Sequence, residues 1–305
     1  MIAFVLSGAG NRGPLQVGAV RALLDQGIKP DFIVGTSAGA INGVALAAHG
    51  VDDPAITDRM ATLWGTASAA KIYPGNIFQI GWRILNKEES IYPNDGVREL
   101  IQRALPANVS TFADLKIPFY VTSTDLTSLR LFLFGQDTSA PLLEAVSASA
   151  AVPVMHPPIL YQDLQLVDGG AVANVPVSIA MDLGATVIYA INAGYDDKKQ
   201  PPVDGIFELL NRTLATLTTQ SFLVDLERAT KDTAVDLHHI QVTFPEKVSF
   251  RDFSKTAAMV DHGKALAKAY LQKPQPRAVA PVGTPTVYGA TVGAAREYIP
   301  PQNRR

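Results

Sequence analysis

Cysteine is absent from these 305 residues. Its absence excludes disulfides, thiol nucleophiles and cysteine metal sites, and it fits a reducing, cytoplasmic setting. Long apolar runs are missing too. No stretch reaches the roughly 18 consecutive apolar residues that a spanning helix needs, so any membrane contact should be peripheral. The N-terminal MIAFVLSGAG has no basic region ahead of its short apolar run, and reads as a buried strand instead of a signal segment. Charge of either sign is not in excess: 26 Lys and Arg against 28 Asp and Glu leave −2, which gives no global reason to expect nucleic acid. Histidine is scarce, and none of His49, His156, His238, His239 and His262 stands in a loop directly after an expected strand. With 47% apolar and 18% charged residues the chain can nonetheless bury a sizeable core.

Ile2 to Leu6 reads as a strand, followed by a glycine-rich turn from Gly8 to Gly13. Pro14 suits a first helical position, Leu15 to Gln26 carries an apolar helical face, and Gly27 marks its stop. Asp31 to Val34 is a second short strand, running through a turn into a helix from Ala40 to Ala48. Strand, helix, strand, helix in so short a span argues for an α/β unit around a parallel sheet. Further strands are expected at Phe119–Ser123, Leu131–Phe134, Leu164–Val167, Thr186–Ile191 and His239–Phe244. Helices are expected at Gly96–Ala104, Leu142–Ala150, Pro176–Leu183 and Ile206–Lys231. From Lys273 the sequence turns rich in proline, glycine and alanine, dividing the chain into a domain over residues 1–272 and a tail over 273–305.

Three short segments carry chemistry. Gly35-Thr36-Ser37-Ala38-Gly39 fits G-x-S-x-G between a strand and a helix, where small neighbours let the backbone bend and a helix N-terminus favours negative charge. Its competing reading is a plain N-cap serine. Gly8-Ala9-Gly10-Asn11-Arg12-Gly13 can supply backbone N–H groups to an oxyanion. The same spacing is also a dinucleotide fingerprint, but that reading wants an acid at the end of the second strand, whereas Asp31 opens it. Asp168-Gly169-Gly170 ends an apolar strand, either as a simple turn or as a carboxylate aimed into a cleft.

Taken in order with Ser147-Ala148-Ser149-Ala150-Ala151-Val152-Pro153 and Val121-Thr122-Ser123-Thr124-Asp125-Leu126, these segments resemble the patatin-like phospholipase family over residues 2 to 192. The first loop departs from the family in having Ala9 where glycines often run together. The resemblance implies a three-layer α/β/α fold with a mostly parallel central sheet. It implies Ser37 as nucleophile and Asp168 as base, with backbone N–H groups of Gly10, Asn11, Arg12 and Ala38 holding the oxyanion. Gly8, Gly13, Gly35, Gly39, Gly169 and Gly170 would shape the turns. No metal and no cofactor enter such a mechanism.

The expected function is then a serine acyl hydrolase acting on fatty acyl esters of lipids through an acyl-enzyme. A transacylase is the near variant, and a nucleotide-binding domain built on Gly8–Gly13 the distant one. Residues 72–85, IYPGNIFQIGWRIL, are dense in large apolar side chains and read either as a lid that meets lipid or as core. For Phe132, Phe134, Met155 and Tyr161 core packing is expected over pocket lining.

Overall fold

The computed structural model describes residues 1–75, 77–86, 88–194, 202–276, 286–287 and 290–291. Strand β1 (Ile2–Leu6) enters a short 3-10 turn (Gly10–Arg12) and helix α1 (Gly13–Asp25). Strand β2 (Phe32–Gly35) leads into α2 (Ala38–His49), and four helices follow: α3 (Ile56–Gly65), α4 (Ala69–Ile72), α5 (Ile77–Leu85) and α6 (Asp95–Ala104). Next come β3 (Phe119–Asp125), β4 (Arg130–Phe134), α7 (Leu142–Ser149), β5 (Ile159–Tyr161) and β6 (Leu164–Asp168). The remainder comprises α8 (Gly170–Ala173), α9 (Val177–Asp182), β7 (Val187–Asn192), α10 (Ile206–Lys231), β8 (Asp236–Gln241) and α11 (Thr256–Gln272).

The strands form one sheet in the order β5-β6-β3-β2-β1-β7-β8, with β4 also paired to β3. From β3 to β8 every neighbour is parallel, while β4, β5 and β6 make antiparallel pairs. β1 is an interior strand with a parallel neighbour on each side, which is why its sequence is apolar throughout. Phe4 and Leu6 point into one buried cluster with α1, α2, α3, α6, α7 and α11. Ala3 and Val5 point the other way, into a second cluster with α8, α9 and α10. Helices therefore cover both faces, and a fully buried side chain such as Phe4 contributes about 1.5–3 kcal/mol. The layering and the mostly parallel sheet are those expected.

The pairing on β3 decides where the chemistry sits. β4 takes residues 121–125 of β3 along one edge. The other edge is shared: β2 pairs with its first half, Gly35 opposite Val121, and β6 with its second half, Asp168 opposite Ser123. β2 runs parallel to β3 and β6 antiparallel, so their C-terminal ends meet head-on.

Several expectations are corrected. β8 lies at Asp236–Gln241 instead of His239–Phe244, because it pairs in parallel with β7 from Val187 opposite Asp236 onward. α3 and α11 went unpredicted. α11 packs on α1 almost backbone to backbone: a Cβ on Gly18 would strike the Val260 carbonyl, and one on Gly263 the Leu15 carbonyl. In the segment 72–85, Ile72 and Tyr73 are buried, but Phe78, Trp82 and Leu85 are exposed. Phe132, Phe134 and Tyr161 meet edge to face, Phe134 within the main core and the other two packed against it. Of the expected tail, Thr286–Val287 and Ala290–Thr291 form a two-stranded antiparallel pair. The other residues beyond Pro276 lie outside the described residues.

Candidate active site

Ser37 is the turning point between β2 and α2. Its φ of 54° and ψ of −120° lie in a region that non-glycine residues rarely adopt, so the turn is strained. The bend leaves no room for a side chain at Gly35 or Gly39. A Cβ at Gly35 would come 2.8 Å from the Ala40 Cα, and one at Gly39 would strike the Leu6 carbonyl. The strain is held by bonds around it: Ser37 N–H donates to Ser149 Oγ at 2.8 Å, Thr36 N–H to Leu6 O at 3.0 Å, and the Thr36 hydroxyl to Ala173 O at 2.9 Å. The Ser37 side chain makes no capping bond to α2, which removes the N-cap reading. Its hydroxyl lies instead near the Asp168 carboxylate, whose pKa it lowers.

Asp168 ends β6 as β2 ends opposite it. Its backbone N–H donates to Ala151 O at 2.9 Å, and its carbonyl accepts the Thr124 hydroxyl at 2.9 Å. The side chain accepts the Gly170 N–H at 2.7 Å, so Asp168-Gly169 is a turn and a carboxylate aimed at the serine at once. Burial disfavours the charged form and pushes the carboxyl up from 3.8 to about 6, against the bonds from Ser37 and Gly170 that pull it down. Gly169 is required here because a Cβ would strike Thr122. The Ser-Ala-Ser segment now has a physical role, since Ser149 holds the Ser37 N–H and Ala151 the Asp168 N–H.

The glycine loop runs beside both. Gly8 N–H donates to Asn174 O at 2.9 Å, and Arg12 N–H to Ala9 O at 3.1 Å. The Arg12 N–H, expected among the oxyanion donors, is thus engaged by the 3-10 turn, and the Arg12 guanidinium donates to Gly194 O at 3.3 Å. Among the described residues the N–H groups of Gly10, Asn11 and Ala38 have no acceptor within the chain. Gly10 has φ +56°, a conformation that suits glycine. A buried network fixes the loop from below. Gln16 Nε2 donates to Ser7 O at 2.7 Å, Asn42 Nδ2 to Gln16 Oε1 at 2.9 Å, and Trp64 Nε1 to Asn42 Oδ1 at 2.7 Å. Buried groups satisfied in sequence like this rigidify what they hold.

Ser37, Asp168 and Gly8 to Arg12 line one cleft of about 960 Å³ with Tyr73, Val152, Pro153, Asn174 and Gly194, a size typical of ligand sites. The rest of the lining comes from α10, with Arg212, Thr216 and Thr219, and from Thr243 to Val248 and Phe250. Sequence reasoning missed this wall, and missed Tyr73 and Asn174. Nor did it anticipate that Asn11 Nδ2 would tie the glycine loop to the Ser249 and Asp252 carbonyls at 2.8 and 2.7 Å. No described histidine lines the cleft. His156 stacks on Tyr73 and shares a 3.3 Å bond with Ile72 O, while His239 is buried beside Asn192 and held down to about 4 by that burial. The nucleotide reading fails on Asp31, whose carboxylate accepts the Ile2 N–H at the opposite end of β1 from the glycine loop.

A strand-to-helix serine near a buried carboxylate, beside a glycine loop with N–H groups that have no acceptor, supplies the parts that acyl transfer requires. The family model for patatin-like phospholipases matches residues 4–181, more than half of the chain, and the chain belongs to that family, one of lipid acyl hydrolases and hence carboxylic ester hydrolases. It is 31% identical over 226 residues to Lysophospholipase NTE1 of Mycosarcoma maydis, covering 69% of this chain and 11% of that protein. To Lysophospholipase nte1 of Aspergillus niger it is 29% identical over 292 residues, covering 89% and 18%. The chain thus spans under a fifth of the length of these curated relatives. Among solved structures, VipD from Legionella pneumophila aligns at 15% identity with a TM-score of 0.46, covering 88% of this chain and 66% of that one.

Proposed function

We propose that the protein is a lipid acyl hydrolase working through a Ser37–Asp168 dyad. The observation that carries this reading is a strained elbow serine sharing one cleft with a buried carboxylate raised to about 6, where no described histidine lines the cleft. Ser37 Oγ attacks the ester carbonyl carbon as its proton passes to Asp168. The developing oxyanion is met by the N–H groups of Gly10, Asn11 and Ala38. Collapse breaks the ester C–O bond, and Asp168 returns its proton to the departing alcohol. Water, deprotonated by Asp168, then attacks the acyl-enzyme, and the fatty acid leaves while Ser37 regains its proton. An alcohol in place of water would give transacylation through the same intermediate.

Near neutrality a carboxyl of about 6 is mostly ionised and is a stronger base than an ordinary aspartate, which is the service burial performs here. The reading assigns residues 1–272 to the hydrolase domain and 273–305 to a tail. It places a cytoplasmic enzyme at a lipid surface peripherally; among the described residues no helix is long and apolar enough to cross a membrane. The test is labelling with a fluorophosphonate followed by peptide mass mapping. Modification of Ser37, lost in Ser37→Ala, supports the assignment; labelling elsewhere or not at all overturns it.

A further inference from the structure

Tyr73 lines the cleft with the reactive pair, and the dyad mechanism leaves it without a task. Its main chain is engaged: the N–H donates to Ala69 O at 2.9 Å, and the carbonyl accepts from the Arg251 guanidinium at 3.2 Å. Its ring is packed as well. His156 stacks on it at 5.7 Å, and Tyr92, Phe250 and Phe253 meet it at 5.4, 5.2 and 6.4 Å between centroids. These neighbours are pinned in turn. Tyr92 N–H donates to Met155 O at 2.8 Å, the Tyr92 hydroxyl accepts from Arg251 at 3.2 Å, and His156 shares a 3.3 Å bond with Ile72 O. The ring is therefore held in one orientation, with only 9% of the residue exposed.

The hydroxyl at its tip has no such hold. Among the described residues nothing donates to it or accepts from it. A buried tyrosine hydroxyl ordinarily finds a partner, and phenylalanine would have served the packing as well. With the main chain bonded and the ring covered, the hydroxyl end is what remains of Tyr73 to face the cleft. Burial pushes the phenol up to about 12, with Tyr92 and the Asp168 carboxylate adding to the rise and the Arg251 guanidinium opposing it. It is thus a neutral donor near neutral pH, within electrostatic reach of Asp168.

The two oxygens of an ester need different donors. The carbonyl oxygen is met by the N–H groups of Gly10, Asn11 and Ala38, whereas the alcohol oxygen must stand beside Asp168 to receive its proton. We propose that Tyr73 is a further catalytic residue, its hydroxyl donating a hydrogen bond to the alcohol oxygen as the ester C–O bond breaks. The inference rests on the dyad reading. The electron pair of the C–O bond goes to that oxygen, Asp168 delivers the proton, and Tyr73 keeps its own. Because the hydrogen bond strengthens as charge builds on the oxygen, its worth grows with how poorly the alcohol leaves.

The experiment uses the full chain and two esters of one short acyl group: an alkyl ester, whose alcohol leaves poorly, and the p-nitrophenyl ester, whose phenolate leaves unaided. kcat/KM reports acylation alone, so the acyl-enzyme common to both drops out. Tyr73→Phe keeps every ring contact. It should lower kcat/KM at least about tenfold for the alkyl ester and less than about threefold for the aryl ester. Its melting temperature should hold, since no hydrogen bond within the chain is lost. Tyr92→Phe removes the neighbouring hydroxyl, the one bound by Arg251, and should shift both esters by the same factor. Equal losses on the two esters in Tyr73→Phe, or no loss on either, overturn the proposal. So does a Tyr92→Phe variant that shows the same preference between esters. Failure of the dyad reading would appear separately, as Asp168→Asn turning over both esters within about tenfold of wild type.

Discussion

The two walls of the cleft are made of different material. The wall bearing Ser37, Asp168 and Gly8 to Arg12 is largely backbone, with glycines where a Cβ would strike a neighbour and Ser37 in a strained conformation. The other wall, from α10 and residues 243–250, is built of ordinary side chains, among them Arg212, Thr216, Thr219, Lys247 and Phe250. On the proposed mechanism the first wall holds groups at fixed positions for bond making, and the second offers surface to whatever is being cleaved. Damage to the first should abolish turnover, and damage to the second should adjust which substrate is taken and how tightly.

The sharpest test of that contrast is at the reactive pair. Ser37→Ala and Asp168→Asn should each lower turnover by about 10³-fold or more while leaving the protein folded, because no histidine remains to act as base. Turnover of Asp168→Asn within about tenfold of wild type would end the distinction between the walls. The same substitution should raise stability. Folding raises the Asp168 carboxyl from 3.8 to about 6, so the folded state binds the proton more tightly and wild-type stability declines as pH climbs through that window. Asparagine is exempt. Its advantage in melting temperature should be absent near pH 3.5, grow between pH 4 and 6, and stay constant above.

Gly10→Val comes next, with an expected loss of about 10² in turnover, that of one oxyanion donor. No atom lies within 4 Å of where its Cβ would be, so the damage would come from φ +56° and not from collision. The pH profile follows: kcat/KM should fall about tenfold per unit below pH 6, as the base protonates, and reach a plateau above it. A limb near 4 would indicate an exposed, ordinary carboxylate. The smallest effect belongs to the side-chain wall, where Thr219→Val should leave kcat within about threefold and move KM for polar esters by less than about tenfold. Comparable losses in kcat would show that both walls serve the bond-making step.

The contrast also explains what could be read in advance. β1, the glycine loop, β2, the elbow, β6 and β7 were legible because a turn that excludes Cβ atoms needs glycine, and a strand buried on both faces needs an unbroken apolar run. α11 escaped notice because it meets α1 through Gly18 and Gly263, so its buried stripe is narrow and carries few large residues. Asn174 acts through its main-chain carbonyl on Gly8, and Arg251 through bonds to Tyr73 and Tyr92 some 160 to 180 positions away. Such roles impose no local pattern. The register of β8 was missed because Val235 to Phe244 is apolar on both sides of the true strand end, and only its pairing with β7 fixes the limits.

The head-on meeting of β2 and β6 along one edge of β3 makes the distance between Ser37 and Asp168 a discrete variable. Pairing permits β6 to slide only in whole residues, each about 3.3 Å, and an odd step turns every side chain to the other face of the sheet. The nearest alternative that still presents the carboxylate to the same face is therefore two residues away, roughly 7 Å, beyond the reach of a proton transfer. Drift by small increments along the strand is closed to this site. On the dyad reading, a lineage that lengthened β3 by one residue between Val121 and Ser123 would lose the reaction at once, and the sheet would act as a ruler that admits one setting.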